Sequence, residues 1–149
     1  MQLTLHADYS LRILLYLAEH RDRLVSTREI SEAYGISRNH LVRVVATLSS
    51  NGFVALTGGR GGGAALARDP ALIGVGEVVR KAEPNFRIVE CFDAASNTCR
   101  ILPVCGLRGV LAEALNGFFA VLDRYTLADL VPKPGEERLS QYLQITSPG

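Results

Sequence analysis

Between Ser26 and Leu48 the sequence starts a helix, stops it and starts another, and this alternation limits the fold more than any other stretch. Ser26-Thr27-Arg28-Glu29 has the form of a capping box, in which the serine hydroxyl accepts from the N–H three residues on and the glutamate reaches back to the cap. Ile30 and Ala33 then face inward until Gly35, which can take the left-handed conformation that closes a helix. Ile36 leads into Ser37, a second N-cap. Leu41, Val44, Val45 and Leu48 follow at i, i+3, i+4 and i+7 and define a buried stripe. Two short helices joined by a tight glycine turn make a helix-turn-helix whose second helix turns its polar face outward. That face carries Asn39, Arg43 and Ala46, with Arg38 and His40 at its N-terminal flank.

Two flanking segments complete the module. Leu11, Leu14, Leu15 and Ala18 recur at helical spacing, so residues from about Leu5 to His20 read as a first helix, with Asp8 and Arg12 one turn apart on its less apolar side. After Asn51-Gly52, Phe53-Val54-Ala55-Leu56 and Ala64-Ala65-Leu66-Ala67 flank the sequence TGGRGGG. This is a β-hairpin with a glycine-rich tip, the wing of a winged helix-turn-helix. The glycine run lacks the Gly-Lys-Ser/Thr of a phosphate-binding loop and does not join a strand to a helix, so a nucleotide site is rejected.

The charge pattern agrees with duplex DNA as the partner. Net charge is only +1, which argues against non-specific wrapping of nucleic acid but leaves room for a local basic face. Among the basic residues only Lys81 and Lys133 are lysine. Arginine's planar fork suits phosphate and guanine edges better than an ammonium does. Arg43 and Asn39 are placed to read base edges, whereas Ser37, Arg38 and His40 at the helix start anchor phosphate. Arg60, alone among the wing glycines, can enter the narrow minor groove.

All three cysteines, Cys91, Cys99 and Cys105, lie in one segment just before the longest helical pattern. The N-terminus has neither a basic n-region nor a small-residue cleavage site, and no apolar run approaches the ~18 residues of a membrane span. The expected location is therefore cytoplasmic, where an odd cysteine count argues against structural disulfides. Four readings stay open: buried core residues, structural zinc, a thiol switch, and an iron–sulfur cluster. Polar neighbours Asp93, Asn97, Thr98 and Arg100 disfavour the core. The C-x7-C-x5-C spacing lacks the short pairs of structural zinc. Three thiolates on a cluster require a fourth ligand of another kind.

Past this segment Leu107, Leu111, Ala114, Phe118, Val121, Leu122 and Tyr125 form a stripe over about five turns, too long for so small a module to cover. A second copy of the same helix is the expected partner, giving a homodimer. A short helical turn, Gly76 to Ala82, stops at Pro84, and the tail from Pro132 has little pattern and is expected to be flexible. Catalysis has little support: there is no nucleophile elbow and no HExxH, and His6, His20 and His40 are scattered.

Taken together, MQLTLHADYSLR, YGISRNHLVRVV, GGRGGGAAL, the three-cysteine segment and LDRYTLADLV make the chain, up to Val131, resemble the NsrR-type nitric-oxide-sensing repressors. These belong to the wider superfamily of iron–sulfur winged-helix regulators that also contains IscR. The resemblance implies a mainly α fold with a small β-hairpin wing. It divides into a winged helix-turn-helix DNA-binding domain over residues 1–70, a cluster-binding loop and dimerisation helix over 71–131, and the tail over 132–149. It implies a repressor that binds operator DNA when loaded with a cluster, [4Fe-4S] in preference to [2Fe-2S], and that nitric oxide releases. By the same resemblance Cys91, Cys99 and Cys105 are thiolate ligands, Asp8 from the partner subunit is the fourth, and Arg12 holds that carboxylate in place. IscR-like members instead use a histidine three residues after the last cysteine, where this chain has Arg108. The rival expectations are a redox or iron–sulfur-status regulator with a [2Fe-2S] centre and a cluster-free thiol-switch module.

Overall fold

The computed structural model describes residues 1–133 and 135–143. Helix α1, Leu5–Glu19, is the central strut. Thr4 caps it by accepting from the Ala7 N–H at 3.2 Å, and Thr4 is itself fixed because its own N–H donates to Glu83 Oε1 at 2.6 Å. Ile13, Leu14 and Leu17 are all but fully buried, so this helix has one continuous inner face. Against it pack α2, Thr27–Tyr34, and α3, Arg38–Ser50. Gly35 between them has φ 64°, the left-handed region that a Cβ disfavours, and this allows the sharp turn. Leu41, Val44, Val45 and Leu48 form the buried stripe of α3.

The capping box on α2 is only half made. Ser26 Oγ accepts from the Glu29 N–H at 3.1 Å, as expected. The Glu29 carboxylate, however, takes Arg23 Nη1 at 2.9 Å and the Tyr16 hydroxyl at 2.8 Å instead of returning to the cap. A charge-assisted bond to a guanidinium is stronger than one to a neutral backbone N–H, so the tertiary partner wins.

Strands β1, Val54–Thr57, and β2, Gly63–Leu66, pair antiparallel from Val54↔Leu66 to Thr57↔Gly63. Val25 adds an isolated bridge to Ala64, its N–H donating at 2.9 Å and its carbonyl accepting at 2.8 Å. The wing is thereby tied to the segment that enters α2.

The core does not stop at residue 70. Ile73, Val78 of α4 (Val75–Ala82) and Leu127 of α6 (Leu127–Leu130) are fully buried in the same cluster as Ile13, Ile30 and Phe53. Helix α5, Leu107–Leu122, ends before Tyr125, and Phe119 is its one buried residue. Arg80 lies over the Phe119 ring at 4.2 Å and makes a two-pronged bond to Asp123 at 2.6 and 2.7 Å. Elsewhere α5 is little covered: Leu107 is 60% exposed and Val110 62%. In the tail, Leu139–Tyr142 makes a helical turn, α7, and Leu143 packs against the core. The remainder of the expected flexible tail, residues 144–149 together with residue 134, lies outside the described residues. Among the described residues no helix is long and apolar enough to cross a membrane.

Candidate nucleic-acid interface and cysteine loop

Helix α3 begins at Ser37, whose hydroxyl accepts from the His40 N–H at 3.3 Å. Arg38, Asn39 and Arg43 are exposed on the side away from the core, where the sequence pattern puts them. Arg60 is exposed at the wing tip between Gly59 and Gly61. His40 differs from the other five expected DNA contacts. It is half-buried, and its ring meets the edge of Tyr9 with centroids 4.9 Å apart and planes at 72°. This edge-to-face geometry is one that aromatic pairs prefer.

Tyr9 belongs to α1, between the two residues of its ion pair. Arg12 holds Asp8 with both prongs, Nη2 at 2.7 Å and Nε at 3.0 Å. The same guanidinium carbon lies 5.8 Å from the Tyr9 ring centroid. The Tyr34 hydroxyl, on α2, donates to the Arg12 carbonyl at 3.1 Å, and burial pushes that hydroxyl's pKa up to about 12. Asp8, Arg12, Tyr9 and His40 thus form one contiguous chain from α1 into the first turn of α3.

The cysteine loop runs from Glu83 to Gly106 between α4 and α5 and is held by its own polar groups. Asp93 accepts from the Ser96 hydroxyl at 2.7 Å and the Ala95 N–H at 3.1 Å, and pairs with Arg87 at 2.6 Å. These contacts, the Ser96 hydroxyl first, hold its carboxyl below the usual range. Glu90 accepts the Thr98 hydroxyl at 2.7 Å and the Thr98 N–H, and is lowered for that reason. Asn97 takes the Cys99 N–H at 3.1 Å, and Arg108 Nε donates to the Cys91 carbonyl at 3.3 Å, joining the loop to α5. The polar residues around the cysteines therefore shape the loop backbone.

Cys91, Cys99 and Cys105 are all free thiols and all half-buried. Cys105 shares a depression of about 440 Å³ with Phe92, Leu102 and Arg108. Among the described residues no three or more His, Cys, Asp or Glu side chains are gathered closely enough to hold a metal, so one chain does not close a site from its thiols and Asp8. Sequence reasoning missed Tyr9, Glu83, Glu90 and Asp93 as organisers of these two regions. Of these only Asp93, whose partners Ala95 and Ser96 lie two and three residues on, is near enough in sequence for local pattern to have suggested it.

Residues 3–133 match the model of the Rrf2 family, described as an iron-dependent transcriptional regulator. The chain is 54% identical over 132 residues to the HTH-type transcriptional regulator NsrR of Bacillus subtilis (strain 168), covering 88% of this chain and 90% of that protein. It is 45% identical over 132 residues to the NsrR regulator of Bacillus licheniformis, covering 88% and 92%. Among solved structures, IscR of T. potens superposes with a TM-score of 0.73 at 25% identity, over 95% of this chain and 96% of that one. A helix-turn-helix with an arginine-bearing outer face, a wing tied to its entry, and this likeness over nearly the whole length agree: the chain belongs to the Rrf2 family of winged-helix transcriptional regulators.

Proposed function

We propose that the chain is a cytoplasmic, homodimeric repressor that binds operator DNA and senses nitric oxide through an iron–sulfur cluster, [4Fe-4S] rather than [2Fe-2S]. Cys91, Cys99 and Cys105 of one protomer would hold it together with Asp8 of the partner subunit. The donor set fits such a group in kind: three free, half-buried thiols on a single loop, one of which, Cys105, lines an open depression. When bound, the cluster supplies a soft core whose carboxylate-held iron is the mismatched, labile corner. The exposed apolar side chains of α5, from Leu107 to Val121, support a second copy as its covering.

The observation that carries the reading is the contiguous chain Asp8–Arg12–Tyr9–His40. Arg12 holds the Asp8 carboxylate in place on its own helix, and Asp8 would reach from there to the loop across the dimer. Loss of that reach would free Asp8 and Arg12 to shift together, and with them Tyr9 and the first turn of α3. Two recognition helices must match successive major grooves, ~34–36 Å apart, so a small change at each α3 entry is felt twice. Linkage is reciprocal, and operator DNA must in turn favour the loaded form.

The test is anaerobic purification, with visible absorption and operator binding recorded before and after a nitric oxide donor. A brown protein whose absorption and footprint are lost together is expected, and Cys99→Ala should lack both. A colourless protein with stoichiometric zinc, or a footprint indifferent to the donor and to Cys99→Ala, overturns the proposal.

A further inference from the structure

The outward face of α3 is not wholly polar. Its exposed residues Arg38, Val42 and Ala46 follow one another at i+4, and Asn39 and Arg43 form the adjacent row. Val42 is 49% exposed, while its neighbours Leu41 and Val44 are fully buried. It belongs neither to the core cluster nor to the partly buried apolar residues packed against it. A β-branched residue lowers helix propensity on an exposed surface, so valine here weakens α3 without joining the core. The nearby Thr47 hydroxyl is turned back onto the Arg43 carbonyl at 3.1 Å and adds no free donor to this row. The centre of the face is a pair of methyl-bearing side chains flanked by Arg38, Asn39 and Arg43.

We propose that Val42, with Ala46 behind it, is a specificity-determining residue that reads thymine through its C5 methyl group in the major groove. The inference rests on α3 entering that groove. The thymine methyl is the apolar mark on the major-groove edge, and apolar side chains are what recognise it. Asn39 and Arg43, in the neighbouring row, suit adenine and guanine edges beside it. Each methyl brought into contact is worth about fourfold in affinity, and about sixteenfold across a two-fold site.

The test begins with duplexes selected from a random-sequence library by the full-length protein, purified without air. Each thymine of a selected duplex is then replaced singly by deoxyuridine, which removes the methyl and keeps the pairing. Binding is read by fluorescence anisotropy at one salt concentration. One thymine per half-site should weaken binding about fourfold on replacement, and the Val42→Ala protein should be indifferent to that same replacement. Val42 is exposed, so this variant should keep its circular dichroism, and its salt dependence should match wild type because no phosphate contact changes. If wild type tolerates deoxyuridine everywhere, or Val42→Ala keeps the full penalty, thymine reading by Val42 is wrong while DNA binding stands. Failure to enrich any duplex would overturn the DNA-reading assignment of α3 itself, and this proposal with it.

Discussion

Replacing Glu29 by alanine should loosen the seat of the DNA-reading helices on α1. Tyr16 is fully buried, and its hydroxyl donates to Glu29 Oε1 at 2.8 Å. Orphaning such a donor costs about 1–3 kcal/mol. Arg23 is 43% exposed, so its ion pair with Glu29 adds at most about 1 kcal/mol. The carboxylate also sits in the first turn of α2, where the helix dipole contributes about 0.3–1 kcal/mol. The loss should be about 2–4 kcal/mol, dominated by the tyrosine, or roughly 5–12 °C in Tm for a chain of this size. Urea unfolding followed by circular dichroism, at one fixed protomer concentration, measures it. Adding Tyr16→Phe removes the orphaned hydroxyl, so the double variant should fall short of additivity by about 1 kcal/mol. The pH dependence has a definite sign. Arg23 first, and then Tyr16, hold the Glu29 carboxyl below its usual range. Its contribution is therefore complete above the unfolded value of about 4.3 and is lost as pH falls through the lower folded value. The gap between wild type and Glu29→Gln should close in that acid window. An alanine variant within about 0.5 kcal/mol of wild type, the spread of ordinary surface changes, or strict additivity with Tyr16→Phe, would refute this reasoning.

Further substitutions at three places probe the wing, the α1–α3 contact and the Asp8 position. A Cβ on Gly63 would lie 2.7 Å from the Val25 carbonyl oxygen, so Gly63→Ala should break the Val25–Ala64 bridge and cost about 2 kcal/mol in urea unfolding. Gly58→Ala, with open space around it, is the control and should be nearly neutral. Tyr9→Ala removes an edge contact worth about 0.5–1.5 kcal/mol and should weaken operator binding in gel shifts, while Tyr9→Phe keeps the ring and the affinity. Asp8→Ala should bind a cluster that bleaches faster under a nitric oxide donor in stopped-flow absorption; an unaltered rate would move the fourth ligand elsewhere.

What was legible in the sequence was local. The caps at Ser26 and Ser37, the turn at Gly35 and the stripe of α3 follow from rules that act over three or four residues, and all four stand as expected. Glu29 was misread for the same reason: a local rule pairs it with its cap, whereas Arg23 and Tyr16 reach it through the fold. The bond from Thr4 to Glu83 and the ring contact of Tyr9 with His40 join distant segments and leave no periodic trace. The polar residues among the cysteines were recognised as foreign to a core, but their task of bracing the loop depends on its path in space. Spacing alone left the role of the three thiols open, the ligand reading came from the resemblance, and among the described residues no three potential ligands are gathered around a metal-sized space.

Leu127, the last fully buried side chain of the core cluster to be synthesised, fills a core whose first member is Ile13. A ribosome that has released only the winged segment has therefore released an unfinished object, with Ile73, Val78 and Leu127 still to arrive. Growth of the chain delivers the cysteines before it delivers the plug that closes the core. A fragment ending at Pro70 should accordingly bind hydrophobic dyes and melt without cooperativity, and one extended to Val131 should not.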